Sequence, residues 1–445
     1  MTHPDSSISP EQAQKPFHGG RIEKSINGFI YALEYIGLSF AYNMRSNEIH
    51  EIGREGRNVY EEITAADLDK SKQWTDGAFH LMRAIISQRF TFSDGGPYNP
   101  IEPALFNQSD LRSFIMALAY SNRYDPIQVW LEGLPAWDGE KRMDYWVTNQ
   151  LGAVDKWMAA FASRAILLGG ITRVYQPGQL YDCIPVLVGA QGLGKSSALQ
   201  CLCPWASAFN DSLQPGVDDK IIIERTRDTL IVEFSELAQL DRSELETVKA
   251  FISRRIDVAR LAWGHHTTDQ PRRWVGVATA NNRGDGILPQ DESGYRRWAI
   301  VELDADKARP SDEIRKWVRA NRDQLWAEAL AIYKADPENV VDKYRMPAHK
   351  IGKQNELTNR YAKRHGPAQE AAELIAGLWE TDGKARTISE WLRDSGYLGK
   401  NAQSELAKSG MRSFEMALSK ELTAAGFEKK QGRIDGIKAT RWYKP

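Results

Sequence analysis

Residues 183–200 read CIPVLVGAQGLGKSSALQ, and the order of their parts decides the fold class. An apolar run from Ile184 to Val188 leads into Gly-x4-Gly-Lys-Ser, Gly189 to Ser196, and then into helix-forming residues. Strand, glycine-rich loop and helix in succession make a phosphate cradle. The glycines let backbone N–H groups curl around a β-phosphate at the positive end of the helix. The residues Gly189, Ala190, Gln191, Gly192, Leu193, Gly194, Lys195, Ser196 and Ser197 are therefore candidate ATP contacts. Lys195 supplies a point charge to the β/γ-phosphates, and the Ser196 hydroxyl is a candidate Mg²⁺ ligand.

Downstream, DTLIVEFSEL (228–237) is an apolar strand carrying Glu233 and Glu236 near its end. One carboxylate there can hold Mg²⁺ through water, while a second polarises the attacking water. The two roles stay open between them, with Glu236 favoured as the base. RRWVGVATANN (272–282) is another buried-type strand, ending in Asn281 and Asn282. An asparagine at that tip can hydrogen-bond a γ-phosphate or the lytic water. Short apolar strands alternating with helical segments up to about residue 305 spell an α/β sheet.

The 445 residues allow two or three domains, and 42% hydrophobic with 26% charged residues describes a globular chain. A net charge of −1 singles out no polyanionic partner for the whole chain. Three cysteines are too few for a disulfide framework, which fits a reducing, cytoplasmic setting. Residues 1–20 read as a disordered tail. The segment 21–123 reads as a small α+β accessory domain: Ser25 caps a helix ending near Gly37, residues 38–52 suggest a hairpin, and helices follow at 76–90 and 110–120. A turn-rich boundary over 123–142 precedes the 124–345 core, and 346–370 reads as a linker, with KQNELTNRYAKRHGP (353–367) a charged linker or exposed helix. Helices at 371–380, 387–395 and 411–425 before two short strands suggest a winged helix over 371–445.

Charge gathers locally. Residues 249–273 hold six Lys/Arg (Lys249, Arg254, Arg255, Arg260, Arg272, Arg273) against two Asp, with His265 and His266 beside a Trp263-Gly264 turn. Residues 384–445 hold 13 Lys/Arg against 7 Asp/Glu, and Lys429, Lys430, Arg433, Lys438 and Arg441 cluster in the expected wing with Trp442. Both groups are candidate DNA contacts through phosphates.

WDGEKR, QPGQLYDCIPVLVGAQGLGKS, IVEFSEL, VKAFISRRIDVAR, VATANN and GYRRWAIVEL follow one another between residues 137 and 303. In that order they resemble the virulence-associated E-like ATPases of phages and genomic islands, relatives of superfamily 3 helicases. The resemblance covers roughly residues 124–305. It implies an AAA+-type core assembled as a ring, usually a hexamer, with Gly189–Ser196 as Walker A, Glu233 and Glu236 in Walker B, and Asn281 as the sensor. The usual GTTN ending reads ATAN here, so one hydroxyl beside the sensor is lost. Arg296 and Arg297 fall where the arginine finger is expected; neighbouring strand residues face opposite ways, and Arg297 is the chosen finger. The basic 249–273 segment falls where a hairpin grips single-stranded DNA in the pore. Larger members carry an N-terminal primase domain, whereas residues 1–120 show no paired-carboxylate primase motif and read as a remnant or oligomerisation domain.

The function so implied is an ATP- and Mg²⁺-dependent DNA helicase or translocase, partnered by single-stranded DNA, origin duplex and a separate primase. The rival readings are a regulatory DNA-binding protein that uses ATP to assemble, and a duplex packaging motor.

Overall fold

A computed structural model describes residues 21–53, 63–68, 71–92, 103–213, 218–235, 250–259, 268–281, 297–361, 367–395, 397, 411–434 and 437–444. The expected tail, 1–20, lies outside them. The described residues divide into two compact units, the first ending at Arg360 and the second starting at Tyr361.

Near the start of the first unit, Ser25 caps helix α1 (Ile26–Ile36) by accepting from the Gly28 N–H. Strands β1 (Leu38–Asn43) and β2 (Glu48–Gly53) pair antiparallel from Leu38↔Gly53 to Asn43↔Glu48, the expected hairpin. Helices α2 (Asp76–Arg89) and α3 (Gln108–Ser121) place an apolar residue every third or fourth position. They bury Phe79, Met82 and Ile86, and Leu111, Ile115 and Leu118, in one cluster with Phe29, Leu33 and Phe40.

This layer is fastened to the rest of the unit by buried charge. The Asp125 carboxylate, fully buried, accepts from Arg45 Nε at 2.6 Å and Arg273 Nη1 at 3.0 Å. Arg45 also donates to the Thr229 carbonyl at 2.7 Å. Asp125 further caps helix α4 (Pro126–Glu132) by accepting from the Ile127 N–H at 2.9 Å. The stretch expected as a turn-rich boundary is thus a junction inside one compact unit, because a buried carboxylate needs its partners from both sides.

Beyond it, helix α5 (Lys156–Tyr175) is buried on nearly every side. Five parallel strands make the central sheet in the order β8 (Trp298–Glu302), β3 (Ile184–Gly189), β7 (Val275–Asn281), β4 (Ile231–Phe234) and the short Phe209–Asn210. All six residues of β3 are buried, as fits a parallel strand covered on both faces. After β3 the chain passes through helix α6 (Lys195–Leu202) toward one edge, and after β7 it returns across β3 to the other edge. The carboxyl ends of β3 and β7 therefore flank the point where the winding reverses, where open α/β sheets bind ligands. Helix α7 (Asp219–Arg225) lies before β4, and a separate antiparallel pair, β5 (Ile256–Ala259) and β6 (Thr268–Pro271), lies between β4 and β7 in sequence. Helix α8 (Ser311–Ala335) packs on α5 and α6.

Helix α9 (Ala348–Arg360) corrects part of the expected linker. Gln354 Nε2 donates to the Trp298 carbonyl at 2.8 Å and Thr358 Oγ1 to the same oxygen at 3.3 Å, so the helix is docked along β8. Polar side chains aimed at an edge strand's carbonyl hold a segment whose charge alone suggested solvent.

The second unit contains α10 (Pro367–Asp382), α11 (Ile388–Asp394), α12 (Met411–Ala424) and the antiparallel strands β9 (Glu428–Ile434) and β10 (Ile437–Tyr443). Ile375, Trp391, Leu392, Leu418, Leu422, Phe427 and Trp442 form its core. A reciprocal backbone pair, Trp442 N to the Arg386 carbonyl at 2.7 Å and Arg386 N to the Trp442 carbonyl at 3.2 Å, ties the hairpin to the start of α11. Among the described residues no helix is long and apolar enough to cross a membrane.

Candidate functional site

The loop between β3 and α6 is shaped by its glycines. Gly194 sits at φ 97°, and a Cβ there would lie 2.8 Å from Ser311 Oγ. Only glycine takes that backbone without strain, and the loop can then deliver Lys195 as the first residue of α6.

Lys195 is buried, and its ammonium donates to the Gly189 carbonyl at 3.0 Å, the Ala190 carbonyl at 2.9 Å and Asn281 Oδ1 at 3.3 Å. Burial lowers its pKa from the ordinary lysine value, and the nearby Glu233 charge works against that shift. Asn281 reaches it because the register sets Asn281 of β7 beside Gly189 of β3. Two positions earlier on the same face of β7, Thr279 donates to Glu233 Oε1 at 2.5 Å. Ser196 Oγ donates to the same Glu233 oxygen at 2.7 Å. Glu233 is 1% exposed, whereas Ser196 stands open at the loop. Three separated stretches, the loop with the start of α6, β4 and β7, thus converge on one cationic and one anionic group.

The structure brings together Gly189, Ala190, Lys195, Ser196, Glu233 and Asn281 as the sequence suggested, and adds Thr279. Its legible signal was parity: Thr279 and Asn281 are two apart in a strand and share a face. Glu236 and Arg296 lie outside the described residues. Arg297 is described, and it stands elsewhere. Its carbonyl accepts from the Ile184 N–H at 2.8 Å and its guanidinium hydrogen-bonds Ser253 Oγ, at the end of the sheet opposite the glycine loop.

The candidate DNA residues divide. The hairpin expected over 249–273 has its stem in β5 and β6, paired from Ile256↔Pro271 to Ala259↔Thr268. Lys249, Arg260, His265 and His266 lie outside the described residues. Arg272 is 2% exposed, pairs with Asp257 at 2.6 Å and lies over the Phe251 and Trp274 rings at 4.2 and 4.8 Å. Arg273 is held by Asp125, and burial lowers its pKa. Both are therefore held in ion pairs within the unit and do not form the free basic surface expected: strand parity puts one against the stem's own carboxylate and the junction captures the other. Arg254 is exposed and pairs with Asp219, and exposed Arg255 donates to the Gly178 carbonyl at 2.6 Å. In the second unit Lys430 and Arg441 are exposed and sit directly opposite each other on β9 and β10, and Lys429 covers the Trp442 ring at 4.8 Å. The side chains of Arg433 and Lys438 lie outside the described set.

Comparison with solved structures finds the apo A form of the NrS-1 C-terminal region, 12% identical over 95% of this chain and 99% of that one, with a TM-score of 0.42. A second apo structure of the same region is 13% identical over 94% of this chain and 99% of that one, again with a TM-score of 0.42. No curated protein matches the chain. The virulence-associated protein E-like domain matches residues 131–361, more than half of the chain, from before α5 to the end of α9. The chain belongs to the virulence-associated protein E-like family.

Proposed function

We propose that this protein is an ATP-dependent DNA helicase or translocase of superfamily 3 type, acting in phage or mobile-element replication as a ring, with ATP hydrolysed between subunits. The observation that carries the reading is the convergence of Lys195, Ser196, Glu233 and Asn281 at the carboxyl ends of β3, β4 and β7. A buried ammonium beside a glycine loop recognises phosphate oxygens. The backbone N–H groups of residues 190–196 add neutral donors at a helix start. The Ser196 hydroxyl and the Glu233 carboxylate are the hard oxygens Mg²⁺ takes. When bound, Mg²⁺ neutralises charge developing on the phosphates.

Asn281 is placed to orient either the terminal phosphate or water, and Glu236, three residues past Glu233, is our assignment for the base. The arginine comes from the neighbouring subunit, Arg297 in this reading with Arg296 bracing beside it. Single-stranded DNA passes the β5–β6 hairpin, where Arg254 and Arg255 remain candidates with Lys249, Arg260, His265 and His266. The second unit acts as a winged helix on duplex DNA. There the Lys430–Arg441 pair places like charges opposite each other, an arrangement a phosphate would relieve. A separate primase partner and a cytoplasmic location complete the proposal.

The test is ATP turnover with and without single-stranded DNA, unwinding of a forked duplex, and the mass of the complex with a nonhydrolysable ATP analogue. Unwinding lost in Lys195→Ala and a multimeric mass support the reading. A strictly monomeric, DNA-independent ATPase would overturn it. Turnover without strand separation would favour a duplex motor.

A further inference from the structure

We infer that Thr279 is a positioning residue that sets the orientation of the Glu233 carboxylate for a divalent cation; the inference rests on the nucleotide reading above. Glu233 is almost wholly buried on β4, and a carboxylate there needs hydrogen-bond donors. Both of its described donors reach the same atom, Oε1: Ser196 Oγ at 2.7 Å and Thr279 Oγ1 at 2.5 Å. Among the described residues Oε2 has no partner.

The two donors differ in kind. Ser196 is exposed, on the loop-helix junction that a phosphate would engage. Its hydroxyl has one proton and two lone pairs, so it can donate to Glu233 while offering a lone pair to a cation. Thr279 is 7% exposed and fixed in the middle strand of the sheet. It lies two residues beyond Val277, the register partner of Glu233, on the same face of neighbouring strands. The terminal torsion of a glutamate is broad and selects no orientation unaided. Thr279 supplies that selection from the rigid side of the site. The same strand then holds the carboxylate through Thr279 and the lysine through Asn281, two residues further on.

The experiment titrates Mg²⁺ into the full chain with a fluorescent nonhydrolysable ATP analogue, comparing the parent with Thr279→Val and Thr279→Ser. Removing a hydrogen bond to a metal-facing ligand lowers metal affinity by about tenfold or more. Thr279→Val should raise the half-saturating Mg²⁺ concentration by about tenfold. Thr279→Ser should stay near the parent, and analogue binding without Mg²⁺ should be the same in all three. A parent-like titration for Thr279→Val, or a Thr279→Ser as defective as it, overturns the assignment. Thr279→Ala serves in the same way if the valine variant does not fold. A parent chain that binds no analogue at all overturns the nucleotide reading and this assignment with it.

Discussion

Arg297 and Lys195 stand at opposite ends of one parallel sheet. The Arg297 carbonyl accepts from Ile184, the first residue of β3, while the Lys195 ammonium donates to the carbonyl of Gly189, the last. Five residue steps along a strand span about 16 Å. If Arg297 acts on a phosphate, it acts on the phosphate held by another chain. Arg297→Ala should lower ATP turnover by about a thousandfold while analogue binding persists, and Arg296→Ala should be milder. Mixing Arg297→Ala with Lys195→Ala chains should restore part of the turnover that neither has alone. Parent-like turnover in Arg297→Ala, or no rescue on mixing, would show that the arginine is structural.

The two glutamates should separate kinetically. Glu236→Gln is expected to bind the analogue with Mg²⁺ normally and to lose about 10² to 10⁴ in turnover, the usual worth of a general base. Glu233→Gln should instead weaken the Mg²⁺ dependence of binding, because its carboxylate is the one bonded to Ser196. Pre-steady-state turnover beside equilibrium binding distinguishes the two, and the reverse pattern would swap the assignments.

Gly194→Ala tests the loop without touching a charged group. The left-handed backbone and the approach to Ser311 should cost about 1–3 kcal/mol of stability. Analogue affinity should fall together with the unfolding temperature. An alanine variant that melts and binds like the parent would show that the loop relaxes freely.

Arg272 and Lys430 should behave oppositely. Arg272→Ala leaves Asp257 buried without its partner, a change that costs about 3–5 kcal/mol, so its signature is a lowered melting temperature. Lys430→Ala and Arg441→Ala should leave melting unchanged. Each should weaken duplex binding and reduce the slope of log affinity against log salt by about one. Identical salt slopes in parent and double variant would remove the second unit from the DNA surface.

The lowered pKa of Lys195 has two consequences of opposite sign. Between that value and the ordinary 10.5 the unfolded chain binds more protons than the folded one, so this residue's contribution to stability rises with pH. Phosphate affinity falls over the same window, because the ammonium is the binding form. Analogue affinity measured from pH 7 to 10.5 should decline earlier than for an exposed lysine and stay flat in Lys195→Met. A parent profile as flat as the variant's would argue that the ammonium makes no phosphate contact.

Much of the local architecture was written in short-range pattern. Ser25 before Ile26, the apolar spacing of Phe79, Met82 and Ile86, and the glycine spacing around Lys195 all act within a few residues, where sterics and periodicity suffice. Asn281 was legible for the same reason, as a polar residue ending an apolar strand. The ion pairing of Arg272 and Arg273 was not legible because charge counting along the chain is blind to pairing across it. Their partners, Asp257 and Asp125, are 15 and 148 residues away.

By itself, then, the sequence determined many of the elements, the glycine-rich turn before Lys195 and the family, since each depends on local chemistry or on motifs in order. Tertiary structure alone decided that the described residues between 21 and 123 are fastened to the rest of the first unit through Arg45 and Asp125, and that Ala348–Arg360 is part of that unit. It alone revealed Thr279 as a donor to Glu233 and put Arg297 far from Lys195. The first two rest on side chains that meet across the chain, and the last two on strand order and register, which set distant residues side by side through backbone hydrogen bonds; which residues meet in either way is not written in linear spacing.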